Sequence, residues 1–363
     1  MAAILEGLRA HGDEIVEVNI PLGVSTAARV AMLRQPWRLP ALAARLLRCW
    51  VSLAIQGRRA ARSLSPDAVI VGYLGHFDVH LARLLFGKTP IALDQLVFAA
   101  DTARDRGITG GWKTRLLRQL DHSAIARADV VAVDTPEHQV LAFDHHADRA
   151  IVAPLGAPMA WFNAGRGRRP SDPSRPLRVI FFGLFTPLQG TPVLGQALRL
   201  LADSRNLEVL VIGTGQDYAA TRALAAPLPF VEWRDWVSSQ DLPSLVGQYD
   251  VCLGIFGCGP KAMHVVPNKV YQGAAAGCAV VTSDTEPQRR TLQGAACFVE
   301  PGDALSLADQ LRRLADDRTQ VHRLQAAARQ LADTTFRPET VVEPLRKCLV
   351  TVTESRRHAM SQR

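Results

Sequence analysis

Aromatic residues are scarce, 6% of the 363-residue chain, and its six cysteines (Cys49, Cys252, Cys258, Cys278, Cys297 and Cys348) contain no C-x-x-C pair. That spacing excludes a zinc-finger motif. It fits free thiols in apolar surroundings, such as Val251-Cys252-Leu253, in a reducing, cytoplasmic compartment. The longest apolar run, Gly273 to Val281, falls well short of the ~18 residues that cross a bilayer. Glu6 and Arg9 interrupt the first apolar segment, so it does not read as a signal peptide. No RNP, helix-turn-helix or zinc-finger pattern occurs, and basic residues are not interleaved with aromatics, so nucleic acid is not an expected partner. Residues 18–66 lack Asp and Glu altogether.

Apolar residues reach 48%, and charges of both signs are interspersed, which excludes low-complexity disorder. The length suits two domains, each with its own core. Forty-two basic against 34 acidic residues leave a net charge of +8, which favours nucleotides, phosphates or anionic surfaces as partners. Residues 2–11 have helical spacing, and Glu14–Ile20 alternates like a strand. Short apolar strands are expected at 67–72, 90–93, 129–133 and 150–153, with helical patterns between them. Residues 156–176 read as a linker. A second alternating unit places strands at 177–183, 207–213, 230–233, 250–255, 279–282 and 297–300. Its helices fall at 192–203, 239–248, 268–276, 303–316 and 319–333. Strands alternating with helices argue for parallel sheets covered on both faces. The expected architecture is α/β, with two Rossmann-like doubly wound domains, 1–155 and 177–335, facing a cleft. Residues 336–363 would pack back on the first domain. Ligands of such sheets bind beyond the carboxyl ends of the strands.

The most informative segment runs from Gly254 to Asp284. It reads as strand, glycine-rich loop, helix and strand, with Asn268 as N-cap, Lys269 in the first turn and Gly277 as terminator. Lys261 and Lys269 beside that helix start suggest an anion site; two solvated lysines on a capped, buried helix are the alternative.

The run Pro267-Asn268-Lys269-Val-x-Gln272 through Asp284 resembles the donor-binding segment of GT-B glycosyltransferases of the family 4 type (glycosyl transferases group 1). Phe181-Phe-Gly183-Leu-Phe-Thr-Pro-Leu-Gln189-Gly190 resembles the loop after the first strand of that family's C-terminal domain. Val211-Ile-Gly213-Thr-Gly215 resembles its second glycine loop, and Ala153-Pro-Leu-Gly156 its interdomain turn. The resemblance implies retaining transfer from a nucleoside-diphosphate sugar, with no cofactor and no metal. It implies a donor site of Gly183, Gly213, Gly215, Lys261, His264, Asn268, Lys269 and Gln272. The family's paired glutamates fall at His264 and Gln272, and its loop Arg and Lys at Leu184 and Gln189. Lys261 and Lys269 are candidates to replace the two missing charges. The same departures fit a non-catalytic nucleotide- or sugar-binding accessory subunit. The resemblance also implies an opening strand and glycine loop before the first helix, about 10–15 residues that this sequence does not show.

On the acceptor side, Asp94 follows a strand and, with His76, is expected to position the attacking hydroxyl. Asp101, Asp105 and Arg106 would bind the acceptor. Spacings of seven and four would put Asp94, Asp101 and Asp105 on one helical face; an N-cap and a solvated Asp/Arg face are the alternative. His145 and His146 read as a solvated turn. Arg29, Arg34, Arg38, Arg45, Arg48, Arg58, Arg59 and Arg62 stand among Trp37, Leu42, Leu46, Trp50 and Leu53. This arginine-rich 29–62 segment either contacts the inner membrane face peripherally, near a membrane-linked acceptor, or packs its stripe on the sheet.

Overall fold

The computed structural model describes residues 1–21, 23, 39–107, 110–146, 149–167 and 172–362. Arg29, Arg34, Trp37, Arg38 and part of the 156–176 linker lie outside them, as do the side chains of Leu42, His145 and His146.

The N-terminal sheet has four parallel strands in sequence order: β1 (Val69–Val71), β2 (Ile91–Asp94), β3 (Val130–Val133) and β4 (Ala150–Val152). Strands β2 and β3 are buried along their whole length, as expected of parallel strands covered on both faces. Among the described residues this half also has helices α1 (Ala2–Ala10), α2 (Leu39–Leu64), α3 (Asp78–Phe86), α4 (Ala99–Asp105), α5 (Gly111–Arg127) and α6 (Pro136–His146). Val79 of α3 and Ala124 and Ile125 of α5 pack on one sheet face with Leu93 and Val131.

The C-terminal sheet has six parallel strands in the order β10-β9-β8-β5-β6-β7. They are β5 (Leu177–Phe182), β6 (Leu207–Ile212), β7 (Val231–Arg234), β8 (Val251–Leu253), β9 (Ala279–Ser283) and β10 (Ala296–Val299). Residues of β5 alternate between two cores: Leu177, Val179 and Phe181 enter one, Ile180 and Phe182 the other. The period-2 projection of a strand produces that division. Around the sheet lie α7 (Met159–Ala164), α8 (Thr191–Leu200), α9 (Tyr218–Ala225), α10 (Leu242–Val246), α11 (Asn268–Ala275), α12 (Glu286–Leu292), α13 (Ala304–Asp316) and α14 (Arg318–Thr335). Two further helices, α15 (Pro338–Val341) and α16 (Glu343–Ser361), return to the first sheet. Leu345 and Leu349 of α16 pack on Ala92, Val130 and Ala132, and Arg346 pairs with Asp13 at 2.8 Å.

Two local expectations are corrected. Glu14–Ile20 joins no sheet; Val16 is exposed, and Glu17 instead pairs with Arg9 at 2.6 Å. Alternation supplies a two-sided surface, but a strand also needs a neighbour for its N–H and C=O groups. Asp94 closes β2, whereas Asp101 and Asp105 lie on α4, so the three aspartates do not share a helical face. Five of the six free cysteines are buried or half-buried, and Cys258 is exposed.

Candidate functional site

The chain leaves β5 for β6 on one side and returns to β8 on the other. Such a reversal opens a crevice at the carboxyl ends of the strands. Gly183 and Gly213 follow β5 and β6 directly, with φ of +149° and +131°. A Cβ on Gly213 would lie 1.9 Å from the Gly183 carbonyl oxygen, and one on Gly215 would lie 2.5 Å from that of Phe185. Only glycine lets these loops stack so closely, and Phe185 and Gly215 then pair in an isolated parallel bridge.

Lys269 reaches this loop from α11. Pro267, in extended conformation, is the N-cap, and Asn268 opens the helix without capping it. Lys269 thus falls one residue inside, at the protein-facing side, and is 5% exposed. Its Nζ donates to Gln189 Oε1 at 2.5 Å and stands 3.7 Å from the Phe181 ring centroid. A Cβ on Gly183 would be 3.1 Å from that Nζ. Burial lowers the Lys269 pKa to about 7, with the nearby Cys252 thiol pulling the other way. Among the described residues no carboxylate pairs with it. A buried ammonium aimed at a glycine loop without a counterion is suited to an incoming anion.

Lys261 has a different place. It follows β8 on a 3-10 turn (Pro260–Met263) and crosses the cleft, donating from Nζ to Thr102 Oγ1 of α4 at 2.7 Å. Burial lowers its pKa, against the opposing pull of Asp101 and Asp105. Asp105 is raised mainly by burial, while Lys261 and the Leu188 backbone N–H draw it down. Asp101 is buried, with Arg104 at 3.9 Å, and Arg106 is exposed. Of the expected acceptor group, Asp101 and Asp105 thus feel the charge of Lys261 across the cleft, whereas Arg106 faces solvent. Two more contacts span the cleft: Thr135 Oγ1 donates to the His264 carbonyl at 2.7 Å, and Arg290 holds both Glu137 oxygens at 2.8 and 2.7 Å. His264 Nδ1 is buried without a hydrogen-bond partner among the described residues.

A cavity of about 160 Å³ occupies the cleft floor. Asp94 and Leu96 line its N-terminal side, Gly156 its turn, and Asn268 and Gln272, one helical turn apart, its C-terminal side. Asp94 is 4% exposed, and its Oδ2 has no hydrogen-bond partner among the described residues. Burial raises its pKa to about 6, reinforced by Asp134 and opposed by the chain's amino group. His76 is not part of this cavity. It is buried, with Nε2 2.8 Å from Asp121 Oδ1, and Asp121 also accepts from the Ala99 and Ala100 N–H groups. That carboxylate anchors the His76 ring to the start of α4. The pairing of Gln189 with Lys269 was not legible in the sequence. Its one signal was the uncharged residue at 189 together with a lysine at 269 on an apolar helix.

Two parallel-sheet domains with glycine loops facing across a cleft define the GT-B glycosyltransferase fold. Residues 176–317 match the family model of glycosyl transferases group 1. Sucrose-phosphate synthase from Thermosynechococcus elongatus superposes with a TM-score of 0.63 at 14% identity, covering 88% of this chain and 80% of that one. HepE from Anabaena in complex with UDP gives a TM-score of 0.61 at 14% identity, covering 82% of each chain. The UDP-forming α,α-trehalose-phosphate synthase from Burkholderia vietnamiensis gives 0.62 at 16% identity, over 87% and 78%. A comparison with curated protein sequences finds no significant match. Among the described residues, no helix is long and apolar enough to cross a membrane.

Proposed function

We propose that this protein is a glycosyltransferase that moves a sugar from a nucleoside-diphosphate sugar to an acceptor held against the N-terminal domain. The observation that carries the reading is Lys269. Its buried ammonium meets Gln189 beside Gly183, where a diphosphate would find one positive charge and the open backbone of two glycine loops. Gln272 and Asn268 would hydrogen-bond donor hydroxyls, with Gln272 lacking the strength of a charged acceptor. Asp94, ionising near pH 6, would orient the attacking hydroxyl. HepE has been crystallised with UDP and with UDP-glucose, which makes UDP the first nucleotide to try.

Transfer would proceed with retention and without a metal. The leaving diphosphate would take the acceptor proton, so no protein nucleophile would be needed. Holding donor and acceptor together would supply most of the rate. The acceptor is read as a small molecule or a membrane-linked one, with the arginine-rich segment as a peripheral contact at the inner membrane face. Calorimetry with UDP, GDP and ADP, followed by transfer assays with the matching sugars, tests the reading. Expected are binding of one nucleotide and chelator-insensitive turnover. Tight binding with no turnover on any acceptor would leave a non-catalytic nucleotide-binding subunit, and no binding would refute both.

A further inference from the structure

Helix α2 packs against α3. Among its described residues Gly57 is the buried one, set so close to α3 that a Cβ would fall 2.8 Å from Leu85 Cδ1. On the same side Trp50 donates from Nε1 to Asp78 at 2.9 Å and meets the Phe77 ring edge-on, 6.4 Å between centroids. A second apolar row is left over. Leu47, Val51 and Ile55 follow one another at four-residue spacing and are 64%, 49% and 49% exposed. Spacing by four keeps them on one ridge, which Arg58 and Arg62 continue. Arg45, Arg48 and Arg59 are also exposed, and none of these five arginines is ion-paired among the described residues. No Asp or Glu occurs between residues 18 and 66. The surface extends past Trp50 to Phe77 and Leu74, 57% and 49% exposed. These lie on the loop after β1, at the cleft-facing end of the sheet.

We infer that this outer ridge of α2 docks on an anionic lipid surface, Leu47, Val51 and Ile55 entering the headgroup boundary while the arginines pair with lipid phosphates. An apolar ridge flanked by unpaired cations calls for a partner that is apolar in depth and anionic at its rim, which a lipid surface is. Arginine stems can lie along the apolar surface while the guanidinium stays at headgroup level. A second copy of this chain would bring like charges together instead. The docked face would set the mouth of the cleft towards the membrane. Docking does not depend on the sugar chemistry, so its test uses no nucleotide and can fail or succeed by itself.

The full-length chain is sedimented with phosphatidylcholine vesicles and with vesicles one-third phosphatidylglycerol, at low and high salt. Binding to the anionic vesicles alone, weakened by salt, is expected. Each basic residue at such a surface contributes about a fivefold change in partitioning, so R58Q/R59Q/R62Q together should weaken binding roughly a hundredfold. L47D/V51D/I55D should abolish it; these positions are exposed, so the fold should survive, and the arginine variant provides an independent reading. Absence of binding at low salt, or equal binding by both variants, overturns the inference. So does a dimer by light scattering that L47D/V51D/I55D turns into a monomer, because the ridge would then be covered by a second copy.

Discussion

Replacing Lys269 by methionine should make the protein more stable and, at the same time, poorer at holding a nucleotide. The side chain is 5% exposed, and burial moves its pKa from 10.5 to about 7. The folded-state pKa of this base is depressed, so between pH 7 and 10.5 the unfolded chain carries the extra proton and stability rises with pH. Below pH 7 the full cost is present. A shift of this size corresponds to roughly 5 kcal/mol. Methionine fills nearly the same space without the charge. It forfeits the charge-assisted bond to Gln189, about 1.5–3 kcal/mol, and the contact with Phe181, about 0.5–2 kcal/mol. The net gain at pH 7 is therefore on the order of 1.5 kcal/mol, about 3–6 °C in the Tm of a domain of this size, shrinking towards pH 10. Loss of a charge-assisted bond to the diphosphate should cost about 1.5–3 kcal/mol, or a 10- to 150-fold weaker Kd. Melting curves from pH 6 to pH 10 with and without the nucleotide that the wild type binds, together with calorimetry, measure both effects. A K269M protein that melts lower at pH 7, or binds the nucleotide as tightly as the wild type, refutes the reasoning.

Three further outcomes follow from the same geometry. Because Lys269 Nζ and Gln189 Oε1 meet, the charge can be moved along the contact: K269Q should weaken nucleotide binding, and Q189K/K269Q should restore it to within about tenfold of the wild type. A double variant no better than K269Q in calorimetry would show that position 189 cannot present the charge. Asp94 has a raised folded-state pKa, from 3.8 to about 6, so its favourable contribution is complete below pH 3.8 and lost as pH rises through 6. D94N should thus exceed the wild type by up to roughly 3 kcal/mol at pH 8, converge with it near pH 4, and lose the acidic limb of the kcat profile; equal pH dependence of melting in both proteins contradicts this. At Gly213 a methyl group would lie 1.9 Å from the Gly183 carbonyl oxygen, at a φ of +131°. G213A should accordingly lower the Tm by several degrees and reduce nucleotide affinity, and unchanged calorimetry would mean that the loop is not a ligand surface.

The ten strands of the described residues fall within a residue or two of where the sequence puts them. Parallel strands buried on both faces leave runs such as Leu177–Phe182 that few other structures would tolerate. The glycines of the loops after β5 and β6 were equally readable, since Gly183, Gly213 and Gly215 follow apolar strands. Glu14–Ile20 was not, because its alternation carries no information about whether a neighbouring strand exists. His76 was placed by type and position, and its engagement with Asp121 lies 45 residues away in sequence.

Sequence alone determined the α/β class, the order of its elements and the glycine-rich edge where a ligand would lie, because each depends on contacts between near neighbours in the chain or on local periodicity. It did not separate the two lysines. Lys261 and Lys269 stand eight residues apart beside the same helix, yet one bonds a threonine 159 residues away across the cleft and the other a glutamine 80 residues away in the loop after β5. The tertiary structure decided that division, and it decided equally that Leu47, Val51 and Ile55 face outward while Gly57 faces α3. Burial and the choice of partner fix the charge and role of a side chain, and both are set by segments the chain brings together only on folding.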